Sequence, residues 1–113
     1  MGRDWLGEFE QMVLLACLRL GDGAYTMAVA DEIEAITGRD TSHAGVYVAL
    51  RRLEKKGMVE SALGEGTPER GGRPKRFFRV LPEAMEPLRV SRDALLGLWR
   101  GLPDHLGEGT GAS

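Results

Sequence analysis

The sequence predicts a mainly α-helical chain with one small β-hairpin, in the order helix, helix, helix, hairpin, helix. Two kinds of pattern predict it: stretches with apolar residues at helical spacing, and two short alternating segments around a glycine- and proline-rich loop. The length of 113 residues with 42% apolar content fits a single modest core.

The first helix is read from Trp5 to Leu20. Phe9, Met12, Val13, Ala16, Cys17 and Leu20 form a helical stripe, yet Leu14, Leu15 and Leu18 fall outside it. A helix apolar nearly all round needs cover on more than one side. In so short a chain, a second subunit is the expected cover. Gly21 and Gly23 end the helix.

Thr26 is the expected N-cap of a second helix, in which Val29, Ile33 and Ile36 follow at helical spacing. Asp31, Glu32 and Glu34 belong to its wet face, and Gly38 supplies a stop.

The third helix, residues 42–56, is the best marked. Thr41 or Ser42 caps it, and Gly57 follows two lysines that suit the negative helix end. At 100° per residue, Val46, Ala49, Leu50 and Leu53 share one face. Ala44, Val48, Arg51 and Lys55 project from the opposite side, flanked by Tyr47 and Arg52. That outer face is small or apolar near its start and cationic further along. A merely solvated helix carries Glu, Gln and Lys throughout.

After Gly57, the segment MVESAL alternates as a strand, and KRFFRV is a second strand of β-prone residues. Between them, GEGTPERGGRP is a loop. Taken alone, RGGRPKR fits a free minor-groove hook, a flexible basic loop or a hairpin tip. The strands on both sides select the hairpin, with Gly71 and Gly72 leaving the tip mobile until a ligand orders it.

Pro82 opens the last helical segment, where Leu88, Leu95, Trp99 and Leu102 recur at intervals of seven, four and three. Pro87 should kink or delay this helix. Residues 103–113 lack periodicity and are expected to be a disordered tail.

Charge is distributed unevenly along the chain. Residues 41–80 hold nine Lys or Arg against four acids, a balance of +5, while the rest carries −7 of the total −2. Phosphate binding responds to the local field, so the acidic sum does not argue against nucleic acid. No apolar run reaches the roughly 20 residues of a membrane span, and no signal peptide opens the chain. A cytoplasmic protein without membrane attachment is expected, associated with the nucleoid if it holds DNA.

Enzyme chemistry finds no footing. The single cysteine, Cys17, rules out an internal disulfide and a Cys-rich zinc site, and its place among leucines suits a small buried hydrophobe. His43 and His105 stand far apart, and no phosphate loop, carboxylate cluster or metal spacing occurs. No cofactor is expected.

The element order is that of a winged helix-turn-helix. A recognition helix that enters a major groove about 12 Å wide must be small-faced near its start. Its cations then meet the phosphate walls, which supply most of the salt-dependent affinity. A basic hairpin beside it reaches the adjacent minor groove or backbone, where guanidinium groups are favoured. A winged helix that binds protein and not DNA is the alternative, although such domains usually lose the basic face.

The segment TSHAGVYVALRRLEKKGMVES, followed by GGRPKRFFRVLPEA, resembles the PadR-like transcriptional regulators. The matching positions on the helix are Tyr47, Leu50, Arg51, Arg52, Leu53, Glu54, Lys55 and Gly57. On the wing they are Arg73, Pro74, Lys75, Arg76, Phe77 and Phe78. The resemblance covers roughly residues 8 to 102. It implies a homodimer held by the first and last helices, and repression through a palindromic operator. It departs from the family at Leu81 and Ala84, where Thr and Gly are usual, so the last helix is expected to start differently.

On this reading, residues 5–81 form the DNA-binding domain, 82–102 the dimerisation helix and 103–113 the tail. Ala44, Tyr47 and Val48 face the groove floor, and Ser42, His43 and Arg51 reach base edges or phosphates. For His43 a wet surface position stays equally open. Arg52 and Lys55 contact phosphates, and Arg73 with Lys75 serves the wing, residues 64–76. Arg70, Arg76 and Arg79 are less defined, since alternate strand residues point away from DNA. Some short family members bind flat aromatic compounds at the dimer interface through a tryptophan of the last helix. Trp99, with Leu95 and Leu15, is placed for that role or for an ordinary dimer core.

Overall fold

The computed structural model describes residues 5–64 and 74–106. Four helices and one hairpin are present: α1 (Glu8–Leu20), α2 (Thr26–Thr37), α3 (His43–Lys55), β1 (Val59–Leu63), β2 (Arg76–Val80) and α4 (Met85–Trp99). The wing tip expected at Gly71 and Gly72, with Arg70 and Arg73, lies outside the described residues, as does the tail beyond residue 106. Among the described residues no helix is long and apolar enough to cross a membrane.

Helix α1 starts at Glu8, later than the expected Trp5, because Glu10 turns back to accept the Gly7 N–H at 3.1 Å and so marks the first turn. Its inner face buries Val13, Leu14, Ala16 and Cys17, while Leu15 and Leu18 stay exposed. Cys17 is only 2% exposed, and burial pushes its thiol up to about 12.

At α2 the expected cap is corrected. Tyr25, not Thr26, is the N-cap, and it makes no side-chain capping bond. Its extended backbone is set instead by pairing with the hairpin. Ala24 O accepts the Phe78 N–H at 2.8 Å, and Tyr25 bridges Phe77. Val29, Ala30 and Ile33 are buried, whereas Ile36, expected on the same stripe, is exposed. Gly38 closes the helix at φ 74°, a left-handed value that a Cβ disfavours.

Ser42 settles the start of α3 by accepting the Gly45 N–H at 2.9 Å. Val46, Ala49, Leu50 and Leu53 are all buried. Gly57 at φ 78° turns the chain into β1. Strands β1 and β2 pair antiparallel, with Val59 opposite Val80, Ser61 opposite Phe78 and Leu63 opposite Arg76. Alternation along a strand puts these six side chains on one face. Val59 and Phe78 join the helical core through it.

After β2, Leu81 N–H donates to Met58 O at 2.8 Å. Pro82–Ala84 form a 3-10 turn and the α-helix begins at Met85. Pro87 therefore sits in the first turn, where its missing N–H has no bond to lose, so it delays the helix and does not kink it. Ala84 is fully buried. Helix α4 buries only Leu88 and Ser91 and stops at Trp99, short of the expected Leu102.

Candidate nucleic-acid interface

Burying Val46, Ala49, Leu50 and Leu53 against α1 and α2 forces the opposite face of α3 outward. Ser42, His43, Ala44, Tyr47, Val48, Arg51, Arg52 and Lys55 are all exposed on it. Val48 is 52% exposed midway along this face.

Tyr47 is oriented by its neighbours. Its ring meets Phe78 of β2 edge-on at 6.5 Å, and the Arg51 guanidinium lies 5.9 Å from its centroid. Lys75, just before β2, sits with Nζ 4.4 Å from the centre of the Tyr25 ring. Tyr25 in turn packs edge-on against Phe77 at 5.6 Å. Tyr25, Met27, His43, Tyr47 and Lys75 line an open groove of about 380 Å³ between the starts of α2 and α3 and the base of the wing. The fold thus brings Lys75 alongside His43 and Tyr47. Arg73 lies outside the described residues.

The cations differ in what already engages them. Arg51 Nη1 is 3.6 Å from Glu54 Oε1. Arg52 and Lys55 have no ion-pair partner among the described residues, although Arg52 stands close enough to Glu10 to favour its ionised form. Lys56 is committed to the scaffold, with Nζ 3.0 Å from Glu10 Oε2. Arg79 pairs across the hairpin with Glu60. Arg76, half-buried, lines the same groove and donates from Nη1 to Ser61 Oγ at 3.0 Å.

Periodicity could not find the Tyr25–Lys75 and Tyr47–Phe78 contacts, because each joins residues far apart in the chain. The only signal was the aromatic content of KRFFRV. Among the described residues no three His, Cys, Asp or Glu side chains gather as metal ligands.

Trp99 and Leu95 stand apart from this surface. With Leu98 and Leu102 they line a shallow, open apolar groove of about 130 Å³ on α4. Leu15 lines a different one, of about 460 Å³, between α1 and α2, together with Met12, Ile33 and Ile36. Within one chain the structure does not bring Leu15 to Trp99.

No curated protein sequence matches the chain. Solved structures do match it. A transcriptional regulator from Clostridium thermocellum aligns with TM-score 0.67 and 22% identity, over 80% of this chain and 85% of that one. A PadR family transcriptional regulator from Eggerthella lenta aligns with TM-score 0.65 and 25% identity, over 84% and 82%. Bordetella bronchiseptica BpsR, whose DNA binding is regulated by 6-hydroxynicotinic acid, aligns with TM-score 0.62 and 15% identity, over 92% and 73%. The sequence profile of the transcriptional regulator PadR-like family matches residues 14–84. That span is more than half of the chain and includes the whole of α2, α3 and the hairpin, so the chain belongs to the PadR-like family of transcriptional regulators.

Proposed function

We propose that the protein is a homodimeric repressor that reads a palindromic operator in duplex DNA through α3 and the wing. The observation that carries this reading is the outer face of α3. It is small and apolar at Ala44 and Val48, cationic at Arg51, Arg52 and Lys55, and flanked by Lys75. Such a face fits a groove floor with phosphate walls on either side.

Ala44, Tyr47 and Val48 meet the base edges, while Ser42 and His43 sit where the helix enters the groove. Lys55 is the stronger phosphate anchor and Arg52 the weaker, because Arg52 divides its field with Glu10. Lys75 and Arg73 extend the contact to the wing side. Residues 5–81 act as the reading domain and 82–102 as the dimerisation helix, in a cytoplasmic protein that meets the nucleoid through DNA.

A salt titration tests the reading. Log affinity for duplex DNA should fall linearly with log salt, with a slope near −0.9 for each phosphate neutralised. Lys55→Ala should reduce that slope by about 1 and weaken cognate and random duplexes alike, whereas Arg51→Ala should also relax sequence preference. Absence of binding to any duplex at low salt would leave the protein-binding alternative in its place.

A further inference from the structure

Glu54 is the one acidic residue on α3, and its two carboxylate oxygens stand in unequal surroundings. Oε2 accepts the Ser61 hydroxyl at 2.8 Å. Oε1 is shielded from solvent and has no hydrogen-bond partner among the described residues. The group nearest to satisfying it is the Arg51 guanidinium, whose Nη1 lies 3.6 Å away, within ion-pair range but beyond a good hydrogen bond. Ser61 in turn accepts from Arg76 Nη1 at 3.0 Å. A hydroxyl has one hydrogen and two lone pairs, so Ser61 donates to Glu54 and accepts from Arg76 at once.

The hairpin register explains why these groups meet. Ser61 and Arg76 lie on the face that carries Val59 and Phe78 into the core, one diagonal step apart across the strands. Serine is a weak strand former compared with Val, Ile or Thr. Its place on this inner face is accounted for by the two hydrogen bonds.

We infer that Ser61 is a positioning residue of the DNA-reading surface: its hydroxyl links Arg76 at the wing base to Glu54, and so sets where Glu54 holds Arg51. The inference rests on the DNA-binding reading above. Arg76, left undefined by the sequence, thereby joins the scaffold. With Ser61 in place, one carboxylate oxygen is fixed and Arg51 meets the other at arm's length, aimed outward. Without the hydroxyl, the carboxylate is free to rotate onto Arg51 as a bidentate pair and draw it back from the groove. The wing base also loses its polar tie to α3, leaving the Tyr47–Phe78 contact and the shared core alone to set how helix and wing are oriented.

The test uses the full chain and a cognate duplex selected from a random pool, with a random duplex as control and thermal melts to confirm folding. Ser61→Ala should lower the ratio of cognate to random affinity about fivefold, the factor of one ordinary hydrogen bond. The slope against log salt should stay unchanged, because no phosphate contact is removed. Ser61→Thr, which keeps the hydroxyl and suits a strand, should restore the ratio. Arg76→Ala should also lower the ratio at constant slope. A slope reduced by about 1 in Arg76→Ala would make Arg76 a phosphate contact and overturn the inference. An unchanged ratio in Ser61→Ala would overturn it while leaving the DNA-binding reading intact. Failure of the unsubstituted chain to bind any duplex would remove both.

Discussion

Lys56 Nζ lies 3.0 Å from Glu10 Oε2, tying the end of α3 to the first turn of α1. The Glu10 side chain is 12% exposed and that of Lys56 30%, so water screens the pair only in part. Glu10 Oε1 accepts the Gly7 N–H, so a single carboxylate both starts one helix and anchors another. Burial opposes its ionisation. The Lys56 and Gly7 hydrogen bonds, with the Lys56 and Arg52 charges, outweigh that and hold its carboxyl below its ordinary 4.5.

A pH dependence follows from this pair. A carboxyl whose folded pKa is depressed binds fewer protons folded than unfolded between the two values. Its stabilisation is fully present above about 4.5 and is lost as pH falls through the lower folded value. Glu10→Gln should therefore cost about 1 kcal/mol at neutral pH, and the gap to the unsubstituted protein should close on acidification. Thermal melts from pH 7 to pH 3 check this. A gap that stays constant with pH would trace the cost to packing alone.

How far the sequence could be read follows from the range of each interaction. The cap, the buried face of α3 and the positive φ of Gly57 all depend on residues within a few positions. The sequence therefore showed the face and the glycine and narrowed the cap to Thr41 or Ser42, of which Ser42 caps. The start of α2 was misplaced by one residue because the deciding contact, Phe78 N–H to Ala24 O, crosses more than fifty positions. Ile36 obeys the helical period of α2 yet is 58% exposed, since periodicity gives the direction of a side chain and not what stands opposite it. Pro87 was read with the helix drawn from Pro82. Beginning the α-helix at Met85 turns an apparent defect into a first-turn proline. The residues of the candidate interface read in the sequence as a basic face on one helix. The contacts that orient them, Tyr47 on Phe78 and Lys75 over Tyr25, were not.

The aromatic groove on α4 makes a second prediction. Leu95, Leu98, Trp99 and Leu102 offer a shallow apolar surface with an indole on it, which would suit a planar ligand if a second subunit covered it. In a Trp5→Phe background, where Trp99 is the sole indole, planar aromatic compounds should quench its emission saturably and shift the DNA affinity. Trp99→Ala should abolish the shift. Emission and affinity both indifferent to a panel of planar acids and amines would reduce Trp99 to a packing residue.

Oligomeric state gives the last prediction, argued from what α4 leaves uncovered. Beyond Ser91 the helix buries nothing within its own chain, and Leu95, Leu96, Leu98 and Trp99 are each more than half exposed. On α1, Leu15 and Leu18 are 49% and 43% exposed. If this apolar surface is an interface, a two-fold partner would cover α1 and α4 with the same two elements of its own. Symmetry doubles each loss. Burying one leucine is worth about 1.5–3 kcal/mol, so Leu95→Glu should weaken the dimer by at least about 3 kcal/mol, or more than a hundredfold in dissociation constant. Sedimentation equilibrium at micromolar concentration should show a dimer for the unsubstituted chain and a monomer for Leu95→Glu. The monomer should keep its fold, because Leu95 lies outside the core cluster, yet bind a palindromic duplex far more weakly, since the reading helices of two subunits are no longer linked. A variant that stays dimeric would move the interface off α4, and a chain already monomeric without substitution would remove the palindrome from the reading altogether.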